Sequence, residues 1–228
     1  MVAGAIAKQV LKIKGISIAA YVQRIGSISV AEDVAFQNIQ KAEKSLVRCP
    51  VSEVSERMEA SIREAIQAKD SLGGVIRTKI VGLPAGLGEP VFDKFHAALG
   101  HAVLGINAVK GFEIGSGFAA AQMRGSEHND AFEIKDDQVE TKTNHSGGVQ
   151  GGLTNGAEVC YNTAFKPVAT IAKAQDTVSN QKEEVVLAAK GRHDPCVVPR
   201  AVPIVEAMTA LVTLDMLLRN QTSRIENL

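Results

Sequence analysis

The densest group of reactive side chains lies at residues 191–200, Gly-Arg-His-Asp-Pro-Cys-Val-Val-Pro-Arg. Two arginines, a histidine and an aspartate stand directly before a strongly apolar run. Pro195 and Pro199 restrict the backbone, so the side-chain directions are well defined. Asp194 can act as a base or orient one. Polar groups ahead of a helix N-terminus also favour an anion there. A rigid, salt-bridged helix entrance would use the same residues.

Three further segments and one shorter candidate carry chemistry. In Gly105–Gly111, Asn107 offers directional amide hydrogen bonds and the glycines allow close backbone approach to a flat ligand; an ordinary helix-to-strand turn fits equally. Residues 123–130 gather Arg124, Ser126, His128 and Asp130. Arg124 can grip phosphate or carboxylate through its planar fork, and His128 can move protons near neutral pH, although a solvated loop has the same composition. Residues 144–156 contain Asn144, His145 and five glycines. Such turns can aim several N–H groups at an anion or simply fold sharply. They match neither the dinucleotide fingerprint nor the P-loop. Finally, Lys166-Pro167-Val168-Ala169-Thr170 supplies a cation and a hydroxyl suited to a phosphate-bearing cofactor, or a surface lysine.

The elements that must hold these segments are partly readable. Val2, Ile6 and Val10 predict a helix over residues 2–12 with that stripe buried. Alternation from Ile16 to Val22 predicts a strand. Val54, Met58, Ile62 and Ile66 mark an amphipathic helix over 53–69. Residues 75–81 read as a strand, and the glycines and prolines of 82–90 as an irregular connection. Phe92, Phe95, Leu99 and Val103 predict the buried face of a helix between Val91 and Ile106. Residues 107–156 lack simple periodicity. Pro203 is expected near the start of a helix that is apolar on almost every side, hence buried between layers. Helices mixed with well-spaced strands point to an α/β-type layered sandwich.

Composition narrows the partners. The 25 basic and 25 acidic residues cancel, leaving no general attraction to nucleic acid or an anionic membrane. No run of 18 apolar residues predicts a membrane span. Cys49, Cys160 and Cys196 have no metal or disulfide spacing, which suits a reducing, cytoplasmic setting. No metal site is expected.

Taken in order, the motifs resemble the chorismate synthase family. They are GLPAGLGEPVFDK at 82–94, INAVKGFEIGSGF at 106–118, MRGSEHND at 123–130, NHSGGVQGGLTNG at 144–156, FKPVATI at 165–171 and GRHDPCVVPRAVPIVEAM at 191–208. The resemblance covers essentially the whole chain and looks like the family pattern entered partway, matching its C-terminal portion. The family's N-terminal region, with two histidines and several substrate-gripping arginines, is expected to be absent. The resemblance implies an α+β fold: a β-α-β sandwich, incomplete here, with helices packed between antiparallel sheets. Residues 1–228 would form part of a single domain.

The resemblance also implies an activity. The family converts 5-enolpyruvylshikimate 3-phosphate, a phosphorylated small molecule, to chorismate and phosphate. It requires reduced FMN, and NADPH reduces the flavin in some members. By the motif match, FMN contacts are Asn107, Ala108, Gly151, Lys166, Pro167, Val168, Ala169, Thr170 and Arg192, and Asp194 assists proton handling. Arg124, His128 and His145 are expected to shape the substrate mouth or order the flavin loop. Members assemble as homotetramers. The competing expectations are an inactive fragment, an FMN-binding module without turnover, and a generic structural α/β domain.

Overall fold

The computed structural model describes residues 1–31, 33–135, 137–191 and 193–223. The chain divides into two compact units. Unit 1 comprises Met1–Ala20, Arg77–Thr163 and Val202–Leu228, and unit 2 comprises Tyr21–Ile76 and Ala164–Ala201. A five-stranded sheet has the order β2-β1-β3-β9-β4. Its strands are β1 (Ser17–Ile25), β2 (Ile28–Ser29), β3 (Gly74–Val81), β4 (Val109–Ile114) and β9 (Val159–Phe165). Three antiparallel ribbons accompany it: β5 (Phe132–Lys135) with β6 (Gln138–Thr141), β7 (Val149–Gln150) with β8 (Leu153–Thr154), and β10 (Gln175–Val178) with β11 (Glu184–Leu187).

Unit 1 carries the helices α1 (Val2–Ile13) and α4 (Phe95–Leu104) and most of α6 (Val198–Thr222). The stripe expected to be buried on α1 faces outward: Val2 is 79% and Ile6 58% exposed. The buried positions are Gly4, Ala7 and Leu11. Small residues win because α1 lies directly on α6; a Cβ at Gly4 would stand 2.4 Å from the Ala207 Cβ. Glu206 locks the pair, accepting from Lys8 Nζ at 2.6 Å and from the Ala20 N–H at 2.8 Å.

The helix α6 begins at Val198, so Pro199 takes its second position and Pro203 falls inside. It is long and apolar enough to cross a membrane by length and composition. Val205, Thr209, Ala210 and Thr213 are instead fully buried in protein. Thr209 survives there because its hydroxyl donates to the Val205 carbonyl and pairs with the Tyr161 hydroxyl. Burial pushes the Tyr161 phenol up to about 12, although hydrogen bonds to Thr209 and Thr78 pull the other way. Phe95, Leu99 and Val103 are buried on α4 as expected, but Phe92 precedes the helix and is 91% exposed. Gly100 meets the Phe112 ring of β4.

Unit 2 contains α3 (Ser52–Gln67) and the short α2 (Phe36–Ile39). On α3 the buried residues are Ser55, Met58 and Ala65, whereas Ile66 is exposed. Tyr21, Val22, Ile25, Met58, Ile76 and Val198 are fully buried within the unit. The expectation of an incomplete sandwich is corrected at this level. Leu11, Ile80, Phe95, Leu99, Val159 and Val205 are fully buried in unit 1, so the helices and strands present close a core of their own.

Candidate active site

In unit 2 two of the predicted segments are held by a third that sequence reading passed over. Ser71 donates its hydroxyl to the Val168 carbonyl at 2.6 Å, and the Leu72 N–H donates to the Pro195 carbonyl at 2.7 Å. Gly73 lies against Phe165 and Pro167; a Cβ there would be 2.4 Å from the Phe165 carbonyl oxygen. Residues 71–73 thus clasp 165–168 on one side and 195 on the other. Asp70 anchors the clasp. Its Oδ1 accepts from the Ser71 N–H at 2.8 Å, and that bond, with a weaker pull from Lys173, draws its carboxyl below the ordinary range. The signal was available only as a Ser-Leu-Gly-Gly break after α3.

The side chains of Lys166, Pro167, Ala169 and Thr170 are exposed, and Val168 is half-buried. Asp194 is half-buried and pairs with Arg200 Nη1 at 2.9 Å. With His193, Pro195, Ile66, Lys69 and Asp70 it lines a cleft of about 160 Å³. His193 Nε2 is buried without a hydrogen-bond partner among the described residues. Such an atom costs roughly 1–3 kcal/mol if nothing pairs with it. Arg192, the remaining predicted residue of this segment, lies outside the described residues.

Unit 1 holds the other predicted residues, at opposite ends of α4. Asn107 and Ala108 form the turn into β4, closed by the Val109 N–H to the Ile106 carbonyl at 3.2 Å, with Ala108 at φ +69°. Gly151 sits in the β7–β8 turn at φ +61°, and a Cβ there would meet nothing within 4 Å. Its neighbour Gly152 accepts from the Phe95 N–H at the start of α4, at 2.8 Å. Ten residues of helix separate the two turns, about 15 Å at 1.5 Å per residue. Gly151 therefore leaves open space, whereas Gly152 and Gly88 serve packing: a Cβ on Gly88 would stand 2.5 Å from the Gly152 carbonyl oxygen.

The histidine-bearing loops of unit 1 are organised by Asp130, which is almost fully buried. Its carboxylate accepts from the Thr143 hydroxyl at 2.7 Å and from the His145 and Ser146 N–H groups at 2.7 and 2.8 Å. Burial pushes this carboxyl up, but the hydrogen bonds outweigh it and hold it at about 2. Asn144 closes the same turn, accepting from the Gly148 N–H and donating to the Glu158 carbonyl, both at 2.7 Å. The turn carries His145, whose Nδ1 lies 3.1 Å from Ser116 Oγ and whose ring centroid lies 5.8 Å from that of His128. Arg124 begins the four-residue α5 (Gly125–His128), where its N–H donates to Glu127 at 2.9 Å.

The chain is thus an α+β protein, with a glycine turn that leaves open space in unit 1 and a cleft bearing Asp194 in unit 2. A family model described as "Chorismate synthase" matches residues 1–218. The chain belongs to the chorismate synthase family. The chorismate synthase of Cytophaga hutchinsonii is 51% identical over 98% of this chain, and that of Parabacteroides distasonis 53% over 97%. A solved structure titled "Crystal Structure of Chorismate Synthase" superposes on 96% of this chain and 62% of its own, with a TM-score of 0.81 and 30% identity. The chain spans 62% of the length of these two curated relatives. These matches correct the expectation of a C-terminal fragment with an incomplete sandwich. The family pattern is met across the chain from residue 1 to residue 218, and the solved fold extends over nearly all of it.

Proposed function

We propose that this chain catalyses the 1,4-elimination of phosphate from 5-enolpyruvylshikimate 3-phosphate to give chorismate, with reduced FMN as cofactor. The observation that carries the reading is Asp194 on the wall of a cleft, with residues 71–73 bonded to both Val168 and Pro195, within a family-specific motif. The open turn at Gly151 leaves room for a bound group against unit 1.

Reduced FMN, when bound, supplies the transient electron density needed to break an allylic C–O bond. The protein's part is binding and proton handling. Lys166 and Thr170 bind phosphate oxygens by charge-assisted and hydroxyl hydrogen bonds. Pro167, Val168 and Ala169 hold the backbone between them in place, with the Val168 carbonyl fixed by Ser71. By the family motif match, Asn107, Ala108, Gly151 and Arg192 would contribute further contacts to the cofactor. Asp194, oriented by Arg200, accepts or returns the proton displaced in the elimination.

The test is phosphate release under anaerobic conditions with chemically reduced FMN. Asp194→Ala is expected to lower the rate by about 100-fold or more, the usual scale for a positioned acid–base group. FMN binding without any phosphate release from the unsubstituted chain would reduce the reading to that of a flavin-binding module. NADPH oxidation by the FMN-loaded chain would identify it as the reductant. The buried thiols of Cys49, Cys160 and Cys196 support a reducing compartment such as the cytoplasm. The family resemblance implies a homotetramer in the full-length form, and the outward apolar stripe of α1 supports an association surface.

A further inference from the structure

All four residues of β5 are exposed, and no role described above uses the β5–β6 ribbon. Its two faces differ sharply. Phe132, Ile134 and Val139 share one face and are exposed, Ile134 at 81%. Glu133, Lys135 and Glu140 share the other. A two-stranded ribbon is marginal in water unless further strands or packing support it. The outer edge of β5 has no partner strand among the described residues, and such an edge is a template for another strand. The Lys142 N–H donates to the Ala131 carbonyl at 2.9 Å. Hydrogen-bonded and non-hydrogen-bonded pairs alternate along an antiparallel ladder. Glu133 and Lys135 therefore turn their backbone groups toward β6, and Phe132 and Ile134 turn theirs outward.

Charge selects how a copy of this edge fits against it. A two-fold axis through Ile134 sets that residue opposite itself, where both outward backbone groups exchange hydrogen bonds. It also places Glu133 opposite Lys135 of the copy, twice over, in the non-hydrogen-bonded pairs where side chains stand closest. An axis through Glu133 would oppose two glutamates, and one through Phe132 would set Glu133 opposite Ala131. Within one chain Glu133 stands opposite Glu140, a like-charged cross-strand pair that is unfavourable. Lys135 of the copy supplies the missing counter-charge.

We propose that β5 is a dimerisation edge, pairing antiparallel with β5 of a second copy of this chain in the register centred on Ile134. The two ribbons then form one four-stranded sheet with a continuous apolar face. The pairing is isologous, as a two-fold interface requires. Neither the catalytic reading nor the α1 surface enters into it.

Sedimentation equilibrium on the purified full chain reads the association, and thermal unfolding checks that each variant folds. Lys135→Glu opposes two pairs of glutamates and is expected to weaken association at least about 10-fold. Glu133→Lys combined with Lys135→Glu restores both pairs and should return it to within about 3-fold of the parent. Ile134→Cys tests the register directly. The Cα atoms of a hydrogen-bonded antiparallel pair lie about 5.5 Å apart, within disulfide reach. Oxidised glutathione should therefore link two chains through position 134, whereas Val139→Cys on β6 should give no linked dimer; the native cysteines are buried. A parent that is monomeric at every concentration overturns the proposal. So does Lys135→Glu associating like the parent, or the double variant staying as weak as Lys135→Glu. Association without the Ile134→Cys link places the contact on another surface, such as α1, and overturns it as well.

Discussion

Asp130 shows how a single buried charge organises a loop rather than performing chemistry. Three donors converge on it from Thr143, His145 and Ser146. Their effect prevails over burial and lowers its pKa from the ordinary 3.8 to about 2. A depressed carboxyl stabilises the fold above the unfolded-state value, and that stability is lost as pH falls through the folded one. Urea unfolding of the parent should therefore weaken between about pH 5 and pH 2, by roughly 2–3 kcal/mol in total. Asp130→Asn should be less stable at pH 7 by a similar amount and nearly flat across that window. A variant as pH-sensitive as the parent would mean that another group governs the acid limb. The sequence placed Asp130 in a motif with Arg124 and His128, but only the fold distinguishes the residue that builds the loop from those it presents.

At the scale of elements, the α1–α6 contact is decided by what is small. Gly4 sits so close to Ala207 that any β-carbon must push the helices apart. Alanine in place of glycine would ordinarily gain about 1 kcal/mol in a helix interior. Overpacking costs about 1–3 kcal/mol, so Gly4→Ala is expected to lower stability in chemical denaturation despite its better propensity. Adding Ala207→Gly should recover only a small part of that loss, because the new Cβ would still stand 2.5 Å from the Ala207 Cα and 2.9 Å from its carbonyl oxygen. Unchanged stability in Gly4→Ala would contradict the close contact. The same contact explains why the periodic Val2, Ile6 and Val10 misled the reading of α1. Periodicity identifies an apolar face, but close approach selects the face that lets two backbones come near. On α4, where Phe95, Leu99 and Val103 face the core, no such competition arises and the pattern was sound.

For the whole molecule, the outward apolar side chains of α1 carry the consequence. Val2, Ile6 and Ile13 are exposed on a helix whose opposite face is already packed. Apolar patches of this kind mark association surfaces. Under the homotetramer reading, light scattering on the purified chain is expected to give four times the 24.1 kDa chain mass, and Ile6→Lys to shift that mass downward. A monodisperse monomer at working concentration would exclude the assembly. Because Ile6 is exposed in the single chain, its replacement should cost little intrinsic stability, typically within about 0.5 kcal/mol.

The sequence by itself determined the family and most elements: strands over 16–22 and 75–81, helices over 2–12, 53–69 and 91–106 and one starting near Pro203, and the reactive segments between them. These signals are local. Periodicity, glycine and proline punctuation and ordered motifs are written in neighbouring residues. Tertiary structure decided what depends on residues far apart in the chain. It assigned the clasp at Ser71–Gly73, with partners 97 and 123 positions away. It turned α1 over and made Asp130 the centre of its loop. A hydrogen bond or a close helix approach across a hundred residues leaves no period in the sequence, because its energy depends on where two distant segments meet rather than on what surrounds either one.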